Sequence, residues 1–113
     1  MVSTLELSTA QSSDLIELTH PGEILRLDFL EPMGVSAYKL SRAIGVQQTR
    51  ISEIVRGQRD ISAETSLLLD RFFGLSDGYW LRLQSNYDLR KARRTLTEKI
   101  AQVQPYSNIM QQN

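Results

Sequence analysis

Between Val46 and Asp60 the chain reads VQQTRISEIVRGQRD, a run dense in side chains that exchange hydrogen bonds and poor in side chains that react covalently. Gln47 and Gln48 can each donate and accept at once, which matches the N6 and N7 edge of adenine bidentately. Thr49 and Ser52 bond either way or touch a thymine methyl, and Glu53 can accept from cytosine N4. Arg50, Arg56 and Arg59 suit phosphate oxygens, as do Tyr38, Lys39 and the helix start at Ser36; Arg56 could instead reach a guanine. Phosphate repels a carboxylate, so an ion pair along the helix with Arg50 or Arg56 is the competing use of Glu53. Glutamines at a helix start are ordinarily just solvated surface. Only their position relative to a fold can promote them to readers.

The rest of the chain offers little competing chemistry. There is no cysteine, so no disulfide scaffold, thiolate metal site or thiol nucleophile exists. His20 is the single histidine, and its place before a proline suits capping or surface exposure better than catalysis. Paired carboxylates, a phosphate loop and a metal-ligand cluster are all missing. The expectation is a protein with no catalytic residue, no metal and no cofactor. No run approaches the roughly 18 apolar residues of a membrane span, and nothing at the start reads as a secretory signal, so a cytoplasmic location is expected.

Equal numbers of basic and acidic residues, 13 each, give zero net charge, which alone argues against a nucleic-acid partner. The distribution argues otherwise. Residues 1–35 carry six acids against Arg26, residues 36–60 carry five bases against Glu53 and Asp60, and residues 61–113 hold seven bases against five acids. The basic middle of the chain is also where the hydrogen-bonding side chains sit.

These side chains need rigid elements behind them, and the periodicity supplies five helices and no strand. The first starts at Pro21, with Glu23 in its first turn, carries Ile24, Leu25, Leu27, Phe29 and Leu30 on its apolar side, and is stopped by Pro32 and Gly34. Ser36 caps the second, whose inward residues are Ala37, Leu40, Ser41 and Ile44. The third runs from about Gln47 to Arg56 on Ile51, Ile54 and Val55. Ser62 caps the fourth, which uses Leu67, Leu68, Leu69, Phe72 and Phe73. Ser76 and Asp77 open the fifth, through Tyr79, Trp80, Leu83 and Tyr87 to about Val103; Trp80 and its aromatic neighbours read as core. Residues 1–19 read as a mobile tail, 20–92 as the domain and 93–113 as a helical extension. Leading into and along the extension, Leu89, Ala92, Leu96, Ile100 and Val103 keep a three-four spacing, which either folds back on the core or seeks a partner. The run Arg90, Lys91, Arg93, Arg94 is by default a solvated face.

The segment Ala37 to Arg56 carries the strongest signal. Two short helices crossing steeply through a tight turn need a small residue at the crossing, a glycine in the turn, an apolar seal after it and apolar anchors beyond. Ser41, Gly45, Val46, then Ile51 and Ile54 meet those needs, and Leu40 and Ile44 complete the seam. At about 100° per residue, fixing Ile51, Ile54 and Val55 inward turns Thr49, Ser52, Glu53 and Arg56 outward. Gln47 and Gln48 then lie at the end that enters a major groove in a helix-turn-helix. The free N–H groups at Ser36, Ala37 and Tyr38 present themselves to a phosphate.

With those residues in place, the chain resembles the HigA (VapI) branch of the Xre-like, Cro/C1-type (lambda-repressor-like) helix-turn-helix family. The resemblance rests on HPGEIL at His20 to Leu25, FLEPMGVSAYKLSRAIGV from Phe29, QQTRISEIVRGQRDISAETSLLLDRFFG to Gly74 and YWLRLQSNYDLRKA at Tyr79 to Ala92. It covers roughly residues 20–92; the tail before it is longer than usual, and 93–113 run past its usual end. It implies an all-α, five-helix domain with an extended C-terminal helix, and an antitoxin that neutralises a HigB toxin, a ribosome-associated ribonuclease of RelE-like fold. It also implies a dimer that represses its own operon. A homodimer through the C-terminal helix would bind an inverted-repeat operator in double-stranded DNA. Against a basic toxin, the acidic Glu23, Asp28 and Glu31 and the stretch Leu15 to Leu18 are the expected surfaces. The competing readings are a solitary Xre-type regulator without a toxin, and a protein-interaction module with a degenerate DNA face.

Overall fold

In a computed structural model of the chain, residues 18–112 are described, with side chains through Ile109; of the expected N-terminal tail, only Leu18 and Thr19 fall within that range, and Leu15 and Ile16 lie outside it. Every regular element among the described residues is helical. Helix α1 passes without interruption through Pro21–Ile24, a π-helical Leu25–Leu30 and Glu31–Met33. It is followed by α2 (Ala37–Ile44), α3 (Gln48–Val55), α4 (Ala63–Phe73), α5 (Tyr79–Gln102) and a short α6 (Tyr106–Gln112). The all-α architecture matches the sequence reading; α6, after Pro105, is an addition to it.

His20 caps α1. Its Nδ1 accepts the Gly22 N–H at 2.9 Å, and Pro21 fills the first position, where a missing N–H costs nothing. The expected stop at Pro32 does not occur there. The helix carries Pro32 inside its last segment and ends at Gly34, which is left-handed at φ 67°. A proline ring crowds the carbonyl four residues back. The wider turn just ahead of it, where the Glu31 N–H reaches back to the Arg26 carbonyl, relieves that crowding. The same turn resets which residues face inward. Leu25 and Leu30, five apart, are buried, while Leu27, expected inside, is exposed.

The core gathers Leu25, Leu30, Leu40, Ile51, Ile54, Ile61, Leu69 and Trp80. Phe29 packs its ring 4.9 Å from Phe73 and 5.0 Å from Trp80, so α1, α4 and α5 meet in an aromatic cluster. On α4 the sequence reading is corrected. Leu67, Leu68 and Phe72 are exposed, and the buried residues are Thr65, Ser66, Leu69 and Asp70. Polar groups face inward there because α5 needs acceptors at its start. Neither Ser76 nor Asp77 caps it: Gly78 is the cap residue without a side-chain bond. Instead, the fully buried Asp70 carboxylate accepts from Gly78 N at 2.8 Å, Trp80 N at 3.3 Å and Ser66 Oγ at 3.1 Å. Ser66 Oγ in turn accepts from Leu81 N at 3.0 Å. A negative charge at a helix N-terminus is favourably placed against the dipole.

Beyond Tyr87, α5 leaves the core. Leu89, Leu96, Ile100 and Val103 are exposed by 61, 41, 52 and 68 %, so the extension does not fold back on its own domain. The backbone at Leu96 (φ −110°, ψ 17°) departs from helical values and bends it. Tyr106 and Ile109 of α6 continue the exposed apolar series.

Candidate nucleic-acid interface

The α2–turn–α3 unit forms as its spacing requires. The Ser36 hydroxyl accepts the Lys39 N–H at 3.0 Å and starts α2; the N–H groups of Ala37 and Tyr38 ahead of it have no acceptor within the helix. Ser41 is buried at the crossing, its Oγ donating to the Tyr38 carbonyl at 2.7 Å, so a hydroxyl fits there without an unmet bond. Gly45 ends α2 at φ 73°, a conformation that costs other residues about 1 kcal/mol or more. The N–H groups of Gly45 and Val46 both return to the Ser41 carbonyl, at 2.9 and 3.1 Å, which closes the turn. Val46 and Ile44 are half-buried over the seam beside Leu40.

Ile51 and Ile54 are completely buried and fix the rotation of α3. Gln47, Gln48 and Thr49 consequently stand exposed at its start, with Arg50, Ser52 and Glu53 half-buried and Arg56 exposed. Gln47 is the cap residue and makes no side-chain cap bond, leaving its amide unengaged by the helix. Tyr38 and Arg42 of α2 line one cleft with Gln47 and Gln48 of α3. Arg42 was not among the candidates drawn from the sequence. The signal was available, since it lies one helical turn after Tyr38 on the same face of α2.

The end of α3 is tied down through its backbone at Arg56, Gly57 and Gln58. Gly57 turns left-handed at φ 74°, with its N–H on the Ile54 carbonyl at 2.9 Å and the Gln58 N–H on the Glu53 carbonyl at 2.8 Å. Arg56 Nε reaches Gln58 Oε1 at 3.4 Å. Glu53 is ion-paired, but with neither expected partner. Its Oε1 accepts from Arg59 Nε at 2.7 Å, across the turn rather than along the helix. The Gly57 reversal brings Arg59 back alongside α3, a proximity that helical spacing could not reveal. His20 Nε2 lies 3.4 Å from Asp60 Oδ1, and its ring packs edge-on to Tyr87 at 5.0 Å. The Ile61 N–H donates to Gln84 Oε1 at 2.9 Å. Gly22 sits so tightly on the Ile54 carbonyl that a Cβ there would overlap it. The HPGE motif thus locks the start of α1 to the back of α3.

The distal basic run behaves differently. Arg90, Lys91, Arg93 and Arg94 are exposed along α5, with Lys91 Nζ 5.9 Å from the Tyr87 ring centre, and none of them lines the α2–α3 cleft. Among the described residues no cluster of His, Cys, Asp and Glu could hold a metal, and no helix is long and apolar enough to cross a membrane.

Comparison with known proteins agrees with this geometry. A helix-turn-helix family model matches residues 28–80. Virulence-associated protein I of Dichelobacter nodosus is 53% identical over 73 residues, covering 65% of this chain and 68% of the relative. Antitoxin HigA-1 of Vibrio cholerae is 32% identical over 84 residues, 74% of this chain and 79% of the relative. Among solved structures, the Pseudomonas aeruginosa antitoxin HigA with the higBA promoter superposes with a TM-score of 0.75 at 38% identity, covering 80% of this chain and 99% of that one. The chain belongs to the Xre-like helix-turn-helix family, in the branch of the HigA antitoxins and virulence-associated protein I.

Proposed function

We propose that this protein is the antitoxin of a type II toxin–antitoxin pair, and that it represses its own operon by binding operator DNA through α3. The observation that carries the DNA half is the exposed Gln47, Gln48 and Thr49 set over fully buried Ile51 and Ile54. Polar side chains held on a pinned helix can enter a major groove without reorganisation. Gln47, Gln48, Thr49 and Ser52 are the base-reading candidates, and Arg42 joins them at the cleft. Ser36, Tyr38, Lys39, Arg50, Arg56 and Arg59 are the phosphate candidates. The similarity to an antitoxin solved with promoter DNA supports this reading.

The second partner is a HigB-like toxin of RelE-like fold, supported by the similarity to HigA antitoxins. Glu23 and Asp28, exposed on α1, suit a basic toxin, whereas Glu31 is already paired with Arg26 at 3.0 Å. The third partner is a second copy. Leu89, Leu96, Ile100 and Val103 form an uncovered apolar ridge whose economical use is a two-fold dimer. Such a dimer sets two recognition helices about 34–36 Å apart on an inverted repeat. The working location is the cytoplasm, where the operon is.

The test is co-expression with any small open reading frame found adjacent to this gene, followed by a gel shift on the gene's own promoter. Co-purification with relief of growth arrest, together with a shift lost in Gln47→Ala/Gln48→Ala, is the expected result. Repression of the promoter without any co-purifying protein would leave a solitary regulator.

A further inference from the structure

We infer that Glu53 is a positioning residue for Arg59 and does not itself read a base. This deepens the DNA-binding reading and rests on one part of it, that Arg59 meets a phosphate. The Glu53 side chain is 30% exposed and that of Arg59 49%. Their 2.7 Å contact uses Arg59 Nε, and among the described residues Arg59 has no other partner. A guanidinium is a planar fork: with the Nε edge turned to Glu53, the end-on edge formed by the two terminal nitrogens remains available to an anion.

The backbone on either side of Arg59 is anchored. The Gly57 and Gln58 N–H groups are bonded to α3, Asp60 lies against His20, and Ile61 is bonded to Gln84. Only the side chain is left with freedom, and Glu53 removes much of it before DNA arrives. Reading cytosine instead would require Glu53 to abandon the pair and carry a bare carboxylate among phosphates, which Coulomb repulsion opposes. The pair also explains why a carboxylate is tolerated on the outward side of α3: its charge is already matched.

The experiment measures binding to a short mixed-sequence duplex, by fluorescence anisotropy over a series of salt concentrations. A random duplex isolates phosphate contact from base reading. Removing the Glu53 charge alone favours binding, so the informative comparison is Glu53→Ala against Glu53→Gln, both uncharged. Gln keeps an acceptor for Arg59 Nε. With Arg59 present, E53A binds roughly threefold or more weakly than E53Q, the size of one lost hydrogen bond. In an Arg59→Gln background the two coincide. Arg59→Lys keeps the charge but has one nitrogen to serve both Glu53 and phosphate, and it also weakens binding. Equal affinities of E53A and E53Q with Arg59 present would overturn the inference while leaving the DNA-binding reading intact. So would a loss confined to the promoter duplex, which would make Glu53 a base reader. If Arg59→Gln leaves the salt slope unchanged, rather than lowering it by about 0.9 per protomer, Arg59 is not on a phosphate and the inference falls with that reading. Thermal melts of each variant confirm that the fold is retained.

Discussion

Replacing Asp70 by alanine should strongly destabilise the domain while leaving the DNA-facing surface untouched. Its carboxylate is completely buried and accepts from two backbone N–H groups at the start of α5 and from the Ser66 hydroxyl of α4. Alanine leaves the Gly78 and Trp80 N–H groups without an acceptor. Each buried donor so orphaned costs about 1–3 kcal/mol. Ser66 Oγ can still accept from Leu81, so its loss is smaller. A favourable interaction with the α5 dipole, up to about 2 kcal/mol in buried geometry, is lost as well. Relief of burying a charge offsets part of this, leaving a net cost of about 3–5 kcal/mol. That is a large fraction of the roughly 5–15 kcal/mol that holds a domain folded. For a domain of this size it corresponds to a fall in Tm of roughly 15 °C or more. Asp70→Asn keeps one acceptor oxygen but points an amide donor at groups that are themselves donors, so about half the loss is expected. The assay is urea and thermal unfolding followed by circular dichroism. A loss under about 1 kcal/mol for Asp70→Ala would refute the idea that this carboxylate anchors α5, and equal stability of Asp70→Asn would refute the donor arithmetic.

Gln48→Ala should weaken binding to the cognate operator by about 1–3 kcal/mol and barely affect a mixed-sequence duplex, measured by anisotropy titration. Unchanged cognate affinity after removal of both Gln47 and Gln48 would exclude them as readers. Gly22→Ala places a methyl on the Ile54 carbonyl and should destabilise the fold by about 1–3 kcal/mol or more, with α1 forced off α3. A melt like that of the parent would mean that α1 yields without cost. Ile100→Asp together with Val103→Asp should dissociate the proposed dimer in sedimentation equilibrium while the melt of the domain stays unchanged, since both residues are exposed in the single chain. Dimers that persist would move the two-fold contact elsewhere.

What the sequence determined by itself was the helix-turn-helix and the serine caps, which depend on short-range spacing. The Ser41, Gly45, Val46, Ile51 and Ile54 pattern specified the crossing of α2 and α3. That crossing, in turn, oriented Gln47, Gln48 and Thr49, because rotation about a helix follows from which residues are buried. The caps at Ser36 and Ser62 were legible for the same reason: a hydroxyl three residues before the N–H it accepts is a local event. The tertiary structure decided what lies across turns and between elements. Glu53 pairs with Arg59 only because a left-handed Gly57 reverses the chain, and Asp70 faces inward only because α5 begins beside it. Leu27 turned outward because a π-helical turn added a residue to the period on which apolar positions are counted. Helical periodicity specifies neighbours at three and four residues; electrostatic partners six to ten residues apart are set by the path of the chain in space.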